Sequence, residues 1–398
     1  MIKHYTAFVT DPDDTQAAVQ DIVKQLAPEK NALKNTIGIV HFSGTFAETD
    51  ILDLLCAALP FELVGCLSDC ISMNGQHDDT ALSLTMLTSD DVFWNVSTVD
   101  DLNVKTTEDI MDELAALFYA LKAEEKPKLS IPFLPSLPHF SGNDLYDTIR
   151  TIDDPFLLFG MCALNIEGEH NANYVFAKGR LLPNMCALLS FYGNLEPKFY
   201  VDLPVIYDET YGDYGEITDV ERSILKEINN LPALDYFKKQ GLISEKNVGM
   251  AVSLVVVPVI VTFPNLRRSK VACSFIGVVE GTEYVYAART VEQGCEIAFS
   301  YLDGDMTLTR MDALLDWVFG DNPDFVLAYS SIARSWANTN LFAEAEKFAE
   351  AAKAYEEKRG SPFKYSLAYA GGEISPVIDD DGSYINMPHN FTMIVCTF

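Results

Sequence analysis

Paired metal ligands, phosphate-binding loops, basic surface and long apolar runs are all missing from this chain, and each absence removes a class of function. The eight cysteines include no Cys-x-x-Cys pair, and the six histidines (His4, His41, His77, His139, His170 and His389) stand far apart. Zinc sites draw their ligands from short, regular spacings, so no metal is expected. No Walker-type loop or dinucleotide fingerprint follows a strand-like segment, which removes the common nucleotide-binding folds. Only 28 basic residues stand against 58 acidic ones, a formal charge of −30. Such a surface repels nucleic-acid backbones and anionic lipid, so neither nucleic acid nor membrane is an expected partner. The most apolar stretch, Ala251 to Val261, is too short to cross a bilayer and contains Pro258; it reads as a buried strand. Met1 to Tyr5 lacks the apolar run of a signal peptide. Cys56, Cys162 and Cys396 lie inside apolar runs, which suits reduced thiols. A cytoplasmic protein is expected.

What the chain has in quantity is apolar surface. With 398 residues, 48% of them hydrophobic, a substantial core is available, and the length predicts two domains. Periodicity predicts an α/β (α+β) fold of two pseudo-repeated lobes, each a mixed β-sheet with crossover helices and an antiparallel hairpin. In the first lobe Val19, Ile22, Val23 and Leu26 mark a helix ended by Pro28. A strand at Ile37–Phe42 and a helix over Ile51–Ala58 follow, then a strand into Gly65-Cys66 and another at Leu82–Leu87. The second lobe repeats the order with the stripe Met311, Leu314, Leu315, Val318, the strand Phe325–Tyr329, a helix over Leu341–Tyr355, the strand into Gly371-Gly372-Glu373, and Phe391–Val395. Ile71-Ser72 echoes Ile374-Ser375. A second echo sets Tyr174–Ala177 against Tyr284–Ala287, both read as hairpin strands. The proline-rich Lys126–His139 reads as an extended connector. Asp202–Asp219 is the expected boundary, giving domains of residues 1–212 and 213–398.

Several segments carry a family likeness: Val64-Gly65-Cys66-Leu67-Ser68, Phe159-Gly160 with Tyr174–Ala177, Ile217–Gln240, Ser330–Arg334, Phe363–Pro376 and the closing His389–Phe398. In this order they resemble the FIST family (F-box and intracellular signal transduction proteins), with its N-terminal and C-terminal domains. The resemblance implies a cytoplasmic sensor of small molecules such as amino acids, whose output needs a separate signalling protein. Part of the family is associated with haem-based gas sensing, for which one axial histidine would suffice. Cys70 stands near where relatives carry Glu, and Ser331 where many carry Cys.

Ligands of α/β units meet residues just beyond the strand ends. This edge holds Ser43, Gly65, Cys66 and Ser68 from the first lobe, and Ser330, Ser331, Arg334, Gly371, Gly372 and Glu373 from the second. If the lobes face each other, these residues line a shared cleft. Arg334 would take the carboxylate of an amino acid and Glu373 its ammonium; the alternative is a salt bridge between the two side chains. An enzyme is not the expectation. Its candidate nucleophile would be Cys66, which needs a partner such as His41, His77 or His389 to lower its pKa, and a buried inert thiol is the other reading.

Overall fold

The computed structural model describes residues 2–137, 139–164, 173–205, 209–243, 256–264, 269–279, 281–378 and 381–398. It is α/β as expected, with three six-stranded mixed sheets and one eight-stranded antiparallel sheet. Local signals set the helices. Asp14 caps Thr15–Leu26, which stops at left-handed Ala27 before Pro28. Thr106 and Asp109 form a capping box on Thr107–Lys122. Gly360, at φ 72°, ends Ala343–Arg359.

The repeat is threefold, where the periodicity suggested two lobes. Each unit runs edge strand, helix, middle strand, helix, parallel strand, hairpin and antiparallel return strand. In the first unit the middle strand is Asn35–Phe42, the parallel strand Glu62–Leu67, the hairpin Ile71–Met73 with Gln76–Asp78, and the return strand Leu82–Ser89. In the second they are Leu129–Leu134, Gly160–Cys162, Val175–Ala177 with Arg180–Leu182, and Cys186–Tyr192. In the third they are Phe325–Ser331, Lys364–Ala370, Glu373–Ile378 with Tyr384–His389, and Met393–Thr397. Every unit hands its hairpin to another unit's sheet. The second unit's hairpin joins the first sheet (Val175 beside Cys66), the third's joins the second (Glu373 beside Met161), and the first's joins the third (Ile71 beside Ala368). The exchange is cyclic.

The second unit contains the segment read as a connector. Leu129–Leu134 is a fully buried interior strand, although proline is ordinarily excluded from such positions for want of an N–H. Gly160 on the neighbouring strand makes room: a Cβ there would lie 2.1 Å from the Pro132 carbonyl oxygen and 2.6 Å from its ring Cδ. The echo of Tyr174–Ala177 in Tyr284–Ala287 does not hold as a repeat. Val175–Ala177 is an arm of an exchanged hairpin, whereas Val285–Ala287 belongs to the eight-stranded sheet.

That sheet is an insert in the third unit, between the edge strand Lys198–Asp202 and the helix Gly304–Gly320. It has its own core around Phe237, Phe275 and Phe299. A division at 212 falls within its strand Tyr211–Glu221, while Lys198–Asp202 pairs with the C-terminal strand Met393–Thr397. Of the stretch Ala251–Val261, residues 251–255 lie outside the described residues; the strand there is Val259–Phe263. At the centre of the body the middle strands meet. His41, Phe133 and Tyr329, one from each unit, stack edge to face, with His41 5.5 Å from Tyr329 and 6.1 Å from Phe133 between ring centroids.

Candidate functional site

Most of the residues expected to line a cleft are structural. Gly65 lets two strands approach: a Cβ would sit 1.7 Å from the Val40 carbonyl oxygen. Cys66 is wholly buried, and burial pushes its thiol well above the ordinary range, so it lacks the lowered pKa of a nucleophile. Ser43 is buried, its hydroxyl unpartnered among the described residues. Ser68 fastens the first exchanged hairpin to the third unit, accepting the Tyr369 N–H at 3.0 Å with its Oγ 2.9 Å from the Tyr369 carbonyl. Ser330 donates to Glu344 at 2.8 Å, and the Ser331 N–H donates to the Thr392 carbonyl.

Arg334 does form an internal salt bridge, though with partners other than Glu373. Wholly buried, it donates from Nε to Glu344 Oε1 at 2.7 Å and from Nη1 to Asp202 Oδ2 at 2.9 Å. A guanidinium enclosed between two carboxylates is unavailable to a ligand.

Gly371, Gly372 and Glu373 instead border a recess where the third unit's hairpin crosses to the second unit's sheet. Gly371 N–H donates to the Cys162 carbonyl at 3.0 Å, and Cys162 N–H to the Gly372 carbonyl at 2.8 Å. The approach is tight, since a Cβ at 371 would lie 3.2 Å from that of Leu164. The opposite wall is the start of the helix Gly142–Arg150, held by reciprocal capping between Ser141 and Asp144. The insert adds Ala287–Arg289, and the hairpin's return adds His389 and Asn390. About 30 Å³ of free space remains inside, room for a water-sized group.

Two side chains in this recess each keep one polar atom without a partner among the described residues. Glu373, 1% exposed, accepts from Thr392 through Oε2 (2.7 Å from Oγ1, 3.3 Å from N), while Oε1 has no hydrogen-bond partner among the described residues. Burial raises this acid to about 8 against the weaker pull of Thr392 and Arg334, so it keeps its proton at neutral pH. Arg289 is partly buried, and its Nε is enclosed without a partner among the described residues. Cys162 faces the same space. Burial, then the Glu373 charge, push its thiol up to about 12 against the Gly142 amide. His389 is engaged by the Ser375 carbonyl at 3.2 Å and held neutral, burial lowering it to about 4. Asn143 Nδ2 reaches the Ala288 carbonyl and Ser274 N–H reaches Asn390 Oδ1, each at 3.4 Å, so body and insert touch across the recess.

The sequence signalled part of this. Ser141-x-x-Asp144 is a readable helix start, and Cys162 stood out only as an apolar-run cysteine. Arg289 carried no signal.

The histidines offer a haem no fitted pocket among the described residues. His4 is stacked on Phe325, His41 is enclosed in the centre, and His139 and His389 are bonded to carbonyls. His77 borders a groove of about 620 Å³, but Asp11, Asp14 and Asp21 line it and would repel propionates. His170 lies outside the described residues. Among those residues no helix is long and apolar enough to cross a membrane.

Over residues 36–231 the chain matches the model of the FIST N domain. No curated protein matches it. Among solved structures, PurLQS from Thermotoga maritima is similar at 10% identity and TM-score 0.20, covering 99% of this chain and 72% of that one. Phosphoribosylformylglycinamidine synthase II from the same organism stands at 9% and 0.20, covering 99% and 71%; likeness at this level bears on neither fold nor function. The matched stretch begins at the first unit's middle strand, takes in the whole second unit and ends in the insert. Over these residues the chain carries a FIST N domain, a domain generally associated with sensing in signal transduction.

Proposed function

We propose that the chain is the input of a cytoplasmic signalling pathway and binds a small carboxylate, amino acids being the first class to try, between the body and the insert. The observation that carries this reading is one recess holding both an unengaged guanidinium nitrogen, on Arg289, and an unengaged carboxyl oxygen, on Glu373. Arginine meets a carboxylate through paired hydrogen bonds. A protonated Glu373 adds a donor of its own, because an acid kept neutral by burial can give its hydrogen to an anion. Arg289 and Glu373 therefore replace the Arg334 and Glu373 pairing expected from the sequence. The small free volume means that Ala287–Arg289 withdraws to admit a ligand and returns over it. Binding and closure of the insert are then one event, which a separate signalling protein can read.

A thermal-shift screen of amino acids and small carboxylates tests the assignment. At a hundredfold excess over Kd, a true ligand adds about 2.7 kcal/mol of stability. Arg289→Ala should abolish that shift while leaving the unliganded protein folded. A full shift in the variant would put the ligand elsewhere. Affinity should also fall about tenfold per pH unit above pH 8, where Glu373 must regain a proton to bind.

A further inference from the structure

Beneath the recess, a chain of buried contacts leads to the root of the insert. Glu373 is bonded to Thr392, whose carbonyl accepts the N–H of Ser331 at 2.8 Å. Ser331 precedes the helix Ile332–Ala337, which carries Arg334. Arg334 holds Asp202 by both the carboxylate (2.9 Å) and the carbonyl (3.2 Å). Asp202 is the last residue of the strand that leads into the insert. Its other oxygen accepts from Arg310 Nε at 2.8 Å, on the helix that leads out. One carboxylate thus ties the outgoing and returning connections together.

The charges in this cluster are close to their limit. One buried guanidinium already serves Glu344 and Asp202, and an ionised Glu373 would set a third anion against it. Buried charge of that kind is relieved by expelling a partner or by taking up a proton. Glu344 is wholly buried and further held by Ser330 Oγ. Asp202 has the half-exposed Arg310 on its outer side, so it is the group that can leave with a counterion. The other groups facing Glu373 are Cys162, which stays protonated, His389, which stays neutral, and Arg289 at the mouth.

We propose that Arg334 transmits the state of the recess to the root of the insert: a neutral Glu373 leaves Asp202 locked to Arg334, and an anionic Glu373 draws the guanidinium away and frees the insert. An anionic ligand, which holds Glu373 protonated, is then the locking signal; that part rests on the function proposed above. Alkali drives the opposite transition without any ligand, so the mechanism can be tested apart from that reading.

A spin label on the exposed Cys56 of the body and a second at Tyr214→Cys on the insert report the distance between them by pulsed electron resonance. In the unliganded protein the distance should change between pH 6.5 and 9.5 with a midpoint near 8. In Glu373→Gln it should stay at its low-pH value throughout. The surface substitution Arg310→Ala deprives a released Asp202 of its counterion and should move the midpoint up by roughly one unit, a readout that survives if the core variant fails to fold. No change with pH, an equal change in Glu373→Gln, or an unmoved midpoint in Arg310→Ala would each overturn the proposal. A thermal-shift screen without hits would count against the ligand reading alone.

Discussion

Replacing Arg334 by alanine is expected to cost about 3–5 kcal/mol, because Glu344 would be left buried without its cation and Asp202 with Arg310 alone. Urea denaturation checks this, and a loss below about 1 kcal/mol would show that the buried carboxylates do not depend on Arg334. Glu373 makes a separate test with a defined sign. Between pH 4.5 and about 8 the folded protein keeps a proton that the unfolded chain has released. Stability therefore falls as pH rises through that window, and the loss is complete above 8. A glutamine in its place has no proton to lose and can still accept from Thr392. Glu373→Gln should match wild type at pH 4.5 and exceed it at pH 9 by on the order of a few kcal/mol. Equal urea midpoints at both pH values would mean that Glu373 ionises normally. At this scale the sequence revealed which residues carry chemistry but not their partners. An arginine among serines reads equally well as a ligand holder or as half of an ion pair, and Asp202 comes to it from 132 positions away.

The first and third units were legible because their helices have readable stops, at Pro28, Pro60 and Gly320, and their strands lead to glycine bends. The second was hidden by its prolines and by a parallel strand of only three residues, Gly160–Cys162. Chain-local patterns also miss a strand whose neighbour lies some 300 residues away, as Ile71 does beside Ala368. So the repeat seemed twofold, and the shared cleft became a set of exchanged hairpins with the recess at one crossing. The fit of Pro132 against Gly160 yields an element-level prediction. Gly160→Ala places a methyl group against the Pro132 backbone and ring, which have no flexible end to move aside. It should cost at least about 1–3 kcal/mol, measured by chemical denaturation. Because the same strand continues to Cys162 beneath Glu373, Arg289-dependent ligand binding should weaken with it. A Gly160→Ala protein of undiminished stability would mean that the two strands sit further apart.

For the molecule as a whole, acid should be more damaging than its composition suggests. Protonating the carboxylates of a chain with net charge −30 relieves self-repulsion, which by itself favours the compact state at lower pH. Three histidines oppose this. Burial lowers His4 to about 4, His41 to about 3 and His389 to about 4. As pH drops below 6.5 the unfolded chain takes up protons that these folded-state imidazoles refuse. Their contribution to stability is therefore full above 6.5 and is lost on the way down to each folded pKa. Each removes about 1.4 kcal/mol per pH unit, so together they remove about 4 kcal/mol per unit between pH 6.5 and 4. Glu373 has the opposite slope, about a third as steep, up to pH 8, so the histidines set the acid limb and Glu373 the alkaline one. Stability should peak near pH 6.5. Because His4 and His41 sit in the first unit and His389 on the hairpin that the third unit hands to the second, loosening one should release its neighbours, and the acid transition should be cooperative across the body. His41→Phe gives the cleanest test. Neither ring nitrogen has a hydrogen-bond partner among the described residues, and the ring packs against aromatic neighbours, so phenylalanine removes the titration with little change of shape. The acid limb, traced by urea midpoints from pH 7 to 4, should flatten by about half in this variant between pH 6.5 and 4.5, where the opposite slope of Glu373 already offsets one of the three histidines. A slope equal to wild type would show that His41 already takes a proton in the folded protein, and that the centre where the three units meet is wet.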